Sequence, residues 1–184
     1  RDWSSDVCSS DLKAAQQNGR ALQYSCDTLR KDREVVTTAV QQSGFALQYV
    51  IAEEGSSVDH QLVALAKESV LSAVQQDGYA LVDAPKEFLA DKDVVMVAVT
   101  QYGLALQFAS EELRGNKEVV WKAVRQDGWA LQYASEELKG DRDVVLAAVM
   151  RDGTAILEAS DVLRADREIV SAAVRNNPSA TDDL

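Results

Sequence analysis

Apolar residues recur along the chain as pairs set four positions apart: Val35-Val36 with Ala39-Val40, Val94-Val95 with Ala98-Val99, Val119-Val120 with Ala123-Val124, Val144-Val145 with Ala148-Val149. Positions i, i+1, i+4 and i+5 make a wide stripe on one side of an α-helix and fit no period of two. Each run begins just after an Asp or Asn with an acid two residues later, as in Asp141 and Asp143 or Asn116 and Glu118. The Asx side chain caps the first free amides, and the acid sits on the positive end of the helix dipole. This predicts a helix of about 11 residues per run, ended by a glycine read as the left-handed residue just beyond the C-terminus.

After the glycine a second helical pattern starts. In GWALQYASEEL, Gly128 to Leu138, the apolar residues Leu131, Ala134 and Leu138 are spaced three and four. One copy, LVDAPKEFL, puts Pro85 in the column of Ser110, Ser135 and Ser160. Proline inside a helix costs about 3 kcal/mol but is tolerated in the first turn. The second helix is therefore short, and Ser-Glu-Glu-Leu opens a separate turn with the serine as its cap.

Gly19, Gly44, Gly78, Gly103, Gly128 and Gly153 mark this unit, at spacings of 25, 34, 25, 25 and 25, and one further step lands on Pro178. The period is 25 residues with one insertion of nine. Helices shorter than about 12 residues are marginal alone, so stacking on neighbouring copies is what buries their stripes. A coiled coil would need heptads running without glycine stops. The fold class that follows is all-α: an α-solenoid of about six stacked two-helix repeats, running as one array over residues 13–178.

Two stretches depart from the pattern. Across 51–68 the copy slips: Gly55-Ser56-Ser57 reads as a turn, Ser56 and Asp59 as a capping box with the shorter acid, and Val58 to Gln76 as one helix of about 18 residues. The insertion is either a protruding helix for a partner or a neutral junction. The opening, RDWSSDVCSSDL, puts Ser10 and Asp11 on the stripe that should be buried. Residues 1–12 resemble a translated library adapter and are read as a non-native or disordered leader, residues 179–184 as a frayed tail, and the chain as a piece of a longer array.

Composition adds limits on partners. The net charge is −11, from 30 acids and 19 bases; without residues 1–12, which carry one Arg and three Asp, it is −11 − (−2) = −9. Such a balance opposes nucleic acid and anionic membranes, which need a basic face to release counterions. No run of about 18 apolar residues exists to span a membrane. The expectation is a monomer, cytoplasmic by default or a secreted effector in a pathogen.

Candidate chemistry is sparse. His60 is the only histidine, in the first turn of the predicted inserted helix, and Cys8 and Cys26 lack any zinc-binding spacing. Glu111-Glu112 and Glu136-Glu137 are helix neighbours that point about 100° apart and do not converge on one atom. No phosphate loop, His-Glu-x-x-His or nucleophile elbow occurs. No enzyme activity, cofactor or metal is expected.

Binding of a protein or peptide is the better reading. Gln48-Tyr49, Gln107-Phe108 and Gln132-Tyr133, with Gln23-Tyr24, form a ladder of amides and aromatics from copy to copy. Such residues combine adaptable hydrogen bonds with rigid contact area. Val82-Asp83 and Leu157-Glu158 take the same column. A carboxylate does not fill a fully buried aromatic slot without a large desolvation cost, so the column is at least partly exposed or those copies rotate the helix. A second Gln ladder, Gln17, Gln42, Gln76, Gln101 and Gln126, lies near the end of the first helix, and Trp121 and Trp129 read as edge packing.

The unit G-x-ALQYASEEL-x-x-D-[RK]-E-VV-x-x-AV-x-Q-x-G resembles the repeat catalogued as domain of unknown function 4116, over residues 13 to about 178. The resemblance implies a multi-copy helical array of unassigned function, found in bacteria and unicellular eukaryotes, some of them intracellular pathogens, with no catalytic residues to carry over. It is consistent with an interaction or scaffolding module, or with a regulatory or spacer array of a larger protein whose catalytic part lies elsewhere.

Overall fold

The computed structural model describes residues 12–50 and 60–180. The expectations for residues 1–11 and 181–184, for Cys8 and for the Ser56–Asp59 cap lie outside those residues. Among the described residues the elements are α- and 3-10 helices and no strand occurs. The long helices are α1 (Arg33–Gln42), α2 (His60–Gln76), α3 (Lys92–Gln101), α4 (Lys117–Gln126), α5 (Arg142–Arg151) and α6 (Arg167–Asn176). The chain is an all-α solenoid of 25-residue repeats, and in the copy that carries the nine-residue insertion the long helix is the 17-residue α2.

Each regular repeat has three segments. The long helix starts at its Asx cap: Asn116 Oδ1 accepts from the N–H groups of Glu118 at 3.2 Å and Val119 at 3.3 Å, and Asp91, Asp141 and Asp166 do the same for α3, α5 and α6. It ends where the next residue turns extended, as at Asp127 (φ −145°, ψ 116°), whose N–H still donates to Ala123 O at 2.9 Å. Asp127 and Asp152 then accept from Trp129 N at 3.0 Å and Thr154 N at 2.9 Å, starting the second segment. That segment, Gly128–Tyr133 or Gly153–Glu158, is a 3-10 helix of six residues. The third is the four-residue α-turn the serine column predicts, Glu111–Arg114 or Glu136–Lys139, with Ser110 and Ser135 as N-caps.

The role of the repeated glycine needs correction. The reversal is made by the extended residue before it, and the glycine is the first residue of the 3-10 helix rather than a left-handed helix stop. Its necessity is steric: a Cβ on Gly128 would lie 2.7 Å from Ala148 O, and one on Gly103 would lie 2.6 Å from Ala123 O. The backbone of one repeat runs directly against the long helix of the next, and only a residue without a side chain fits there.

The described chain falls into two compact units. In the first, Arg1–Ala73 with Asp83–Lys86, the 3-10 helices Gly19–Tyr24 and Gly44–Tyr49 pack together beside α1, and Gly44 N–H donates to Ser69 Oγ of α2 at 2.9 Å. In the second, Val74–Val82 with Glu87–Leu184, helices α3 to α6 pack side by side. The 3-10 helices Gly103–Phe108, Gly128–Tyr133 and Gly153–Glu158 line up as a second layer. Between the layers lie Val94, Val95, Ala98 and Val99 and their equivalents in α4 and α5, with Leu106, Leu131 and Ile156, all fully buried. Each buried Val, Leu or Ile side chain stabilises by about 1.5–3 kcal/mol over exposure. The four-residue turns are joined by the backbone: Ser135 N–H donates to Arg114 O and Ser160 N–H to Lys139 O, each at 3.0 Å.

Candidate functional site

The Gln-aromatic ladder sits at the end of each 3-10 helix and divides by copy. Tyr24 is 81% exposed, while Tyr49, Phe108 and Tyr133 are half-buried. Three members have local partners: Gln48 Nε2 donates to Asp83 O at 3.3 Å, Gln107 Nε2 to Leu104 O at 3.1 Å, and the Phe108 ring meets Tyr79 edge-on at 5.7 Å. Tyr79 also packs edge-on to Tyr102 at 6.0 Å, so this aromatic column joins successive repeats as well as facing out. Gln132 is half-buried, and Tyr133 lines a shallow depression with Glu111, Arg114, Ala134, Ser135 and Glu136. Arg114 Nε lies buried there with no hydrogen-bond partner among the described residues. The six residues singled out in the sequence thus lie on 3-10 helices, with 48 and 49 in the first unit and the other four in the second.

Two members of the second glutamine ladder, Gln126 and Gln42, bond to the backbone of the preceding copy. Gln126 Oε1 accepts from Gly103 N–H at 2.7 Å while its Nε2 donates to Gln101 O at 3.2 Å. One amide therefore satisfies an amide of the preceding 3-10 helix and an end carbonyl of the preceding long helix. Gln42 Nε2 donates to Gln16 O, and Arg151 Nε and Asn176 Nδ2 donate to Gln126 O at 3.0 Å and Met150 O at 2.8 Å.

Charge at the other end of the long helices is likewise spent on stacking. Lys92 pairs with Glu118, Lys117 Nζ with Asp141 at 2.6 Å and Asp143 at 3.5 Å, and Arg142 with Asp166 at 3.7 Å and with Glu168. Partial burial works to raise the Asp141 carboxyl, but hydrogen bonds from Lys117, Val144 N–H and Asp143 N–H, with the Lys117 charge, hold it below the usual carboxylate range. The N–H groups of Ile169 and Glu168, with Arg142, lower Asp166, and the Asp141 hydrogen bond raises Lys117 against desolvation.

The outward face of the long helices is a surface the sequence reading passed over. Its fifth, sixth and ninth positions are Met96, Val97 and Thr100 in α3, Trp121, Lys122 and Arg125 in α4, Leu146, Ala147 and Met150 in α5, Ser171, Ala172 and Arg175 in α6. Trp121, read as edge packing, is 39% exposed with the Arg125 guanidinium 4.5 Å over its ring. Met150 is 68% exposed. Between α5 and α6 these positions border an open groove of about 830 Å³, lined by Leu146, Met150, Arg167, Glu168, Ser171, Ala172, Arg175 and Asn176. The signal was the contrast between columns that repeat and columns that do not.

Among the described residues no three His, Cys, Asp or Glu side chains gather as a metal site, and no helix is long and apolar enough to cross a membrane. His60 is the exposed first residue of α2, and Cys26 stands at the N-cap of Asp27–Lys31. The architecture is that of a helical-repeat protein, in which a repeated stripe and a repeated close approach build the stack. Four segments, residues 12–53, 67–114, 116–161 and 141–182, match the model of the family described as Domain of unknown function (DUF4116), and the chain belongs to that family. The matches pass over 54–66, inside the stretch where the repeat slips. No curated protein and no solved structure matches the chain.

Proposed function

We propose that the chain is a non-catalytic helical-repeat module that binds a protein or peptide partner and acts as a scaffold. What carries this reading is the division of labour between columns. The buried positions Val94-Val95, Val119-Val120 and Val144-Val145, and the glycines, repeat from copy to copy. The outward positions change from Met96 to Trp121 to Leu146 to Ser171 at one place in the helix and from Thr100 to Arg125 to Met150 to Arg175 at another. A stack whose frame is constant and whose surface varies presents a partner with a distinct row of side chains. The 3-10 layer adds Tyr133, in a depression with Arg114, and its chain neighbour Gln132 as a further contact region.

The test is affinity capture with the wild-type chain and two folded surface variants, Gln132→Ala with Tyr133→Ala and Trp121→Ala with Met150→Ala. Capture of a partner that either variant loses supports the module. Capture indistinguishable from that on an unrelated helical protein in all three contradicts it.

A further inference from the structure

The groove between α5 and α6 carries more than general stickiness, because its charges are sorted. Glu168 is paired with Arg142, and the Asn176 amide donates to Met150 O. Arg167 and Arg175, both exposed, form no ion pair among the described residues. In a chain of net charge −11 the unengaged ionic groups bordering this groove are thus two guanidiniums. Between them lie Leu146 and the 68%-exposed Met150 on one wall, and Ser171 and Ala172, small enough to leave room, on the other. A thioether adapts its shape to an entering apolar side chain.

We propose that this groove is the docking site of an acidic amphipathic helix, a partner segment that sets aliphatic side chains on Met150 and Leu146 and carboxylates on Arg167 and Arg175. The inference rests on the reading of the chain as a binding module. Arg167 and Arg175 are eight residues apart on α6, about 12 Å along its axis at 1.5 Å per residue. Carboxylates at i and i+7 of a bound helix span about 10.5 Å, with residues i+3 and i+4 between them on the same face. The trough between two neighbouring helices accepts a third at an interaxial distance of about 8–10 Å. A helix also satisfies its own backbone and so asks no backbone partners of these helical walls. Arginine is the suited cation, since its fork grips a carboxylate through two N–H groups.

The experiment measures fluorescence anisotropy of labelled helical peptides of about 16 residues, four to five turns, on the whole chain. One carries Glu at i and i+7 and Leu at i+3 and i+4 on an Ala/Gln background; its counterpart carries Lys for Glu. The expected result is binding of the Glu peptide, weakened about tenfold by Arg175→Glu or by Met150→Glu. The Arg167→Glu/Arg175→Glu double variant then prefers the Lys peptide. Equal binding of both peptides, no binding, or indifference to all these substitutions overturns the groove. Selection of displayed random peptides on the same chain separates the two claims. Binders that compete at Gln132 and Tyr133 but not at Arg175 sink the groove and keep the module, and recovery of no binder sinks both. All substituted side chains are exposed, and circular dichroism confirms that each variant folds.

Discussion

The backbone of Gly128 lies so close to the carbonyl of Ala148 that a methyl group added to the glycine would sit 2.7 Å from that oxygen and 2.9 Å from Asp152 Cβ. The same approach joins Gly103 to Ala123 and Gly153 to Ala173, twenty residues on in each case. Gly115 differs: a Cβ there meets nothing nearer than 3.5 Å, its φ is −92°, and Ala165 fills the equivalent position with φ −93°. Gly128→Ala should therefore cost about 1–3 kcal/mol by forcing two repeats apart. Gly115→Ala should be neutral or stabilise by about 0.4–1 kcal/mol through the unfolded chain. Urea midpoints of the two variants check the contrast.

Capping and charge can be separated at Asp141, which caps α5 and pairs with Lys117. Asp141→Ala should cost about 0.5–2 kcal/mol. Asp141→Asn should recover most of that, because Asn116 caps α4 with the same two hydrogen bonds. Thermal unfolding at neutral pH distinguishes them.

The acid dependence follows from the same groups. Asp141 and Asp166 titrate below their usual value when folded, so in mild acid the unfolded chain binds more protons. Their contribution is present above the unfolded pKa and is lost as pH falls through the folded one. Lys117 is raised, so its contribution is complete below its usual value and is lost as pH rises through the folded pKa. Stability should thus fall below about pH 4 and again in strong alkali, and Asp141→Asn should flatten both limbs. Urea titrations across pH measure it.

Gln126 serves two backbone groups at once, Gly103 N–H and Gln101 O. Gln126→Ala leaves both seeking water and should cost about 1–3 kcal/mol. Gln126→Glu keeps the acceptor, loses the donor and sets a negative charge beside a helix C-terminus, so it should not rescue. Chemical denaturation of the two variants decides.

Burial predicts a further difference between equivalent valines. Val149 is fully buried in α5, whereas Val174, its counterpart in α6, is 40% exposed. Val149→Ala should cost about 2 kcal/mol and Val174→Ala under about 0.5 kcal/mol. Paired melting curves give the comparison.

How far the fold could be read beforehand varied with the range of the physics. The Asx caps, the Val pairs and the serine-capped turn were legible because each is decided within five residues of chain. The 3-10 geometry of Gly128–Tyr133 was not, since i→i+3 and i→i+4 bonding share nearly the same apolar spacing. The glycine was visible but its reason was not: the Ala148 carbonyl that excludes a side chain lies twenty residues away, in the next long helix. Gln126 showed as a rung of a ladder, and its two partners appeared only once the preceding helix end was placed against it. The groove by α5 and α6 was written as columns that fail to repeat, Met150 and Arg175 among them, but their exposure depends on how the helices stack.

The stacking itself is tested most directly by native-state hydrogen exchange at the Ser135 and Ser160 amides. Each donates to a carbonyl of the preceding turn, Arg114 O or Lys139 O, and neither bond lies within a helix. A stack of repeats predicts strong protection of both amides, with Ser135 losing it in Gly128→Ala while the interior of α6 keeps its own. Exchange of Ser135 and Ser160 at the rate of free, solvated amides in the wild-type chain would contradict it.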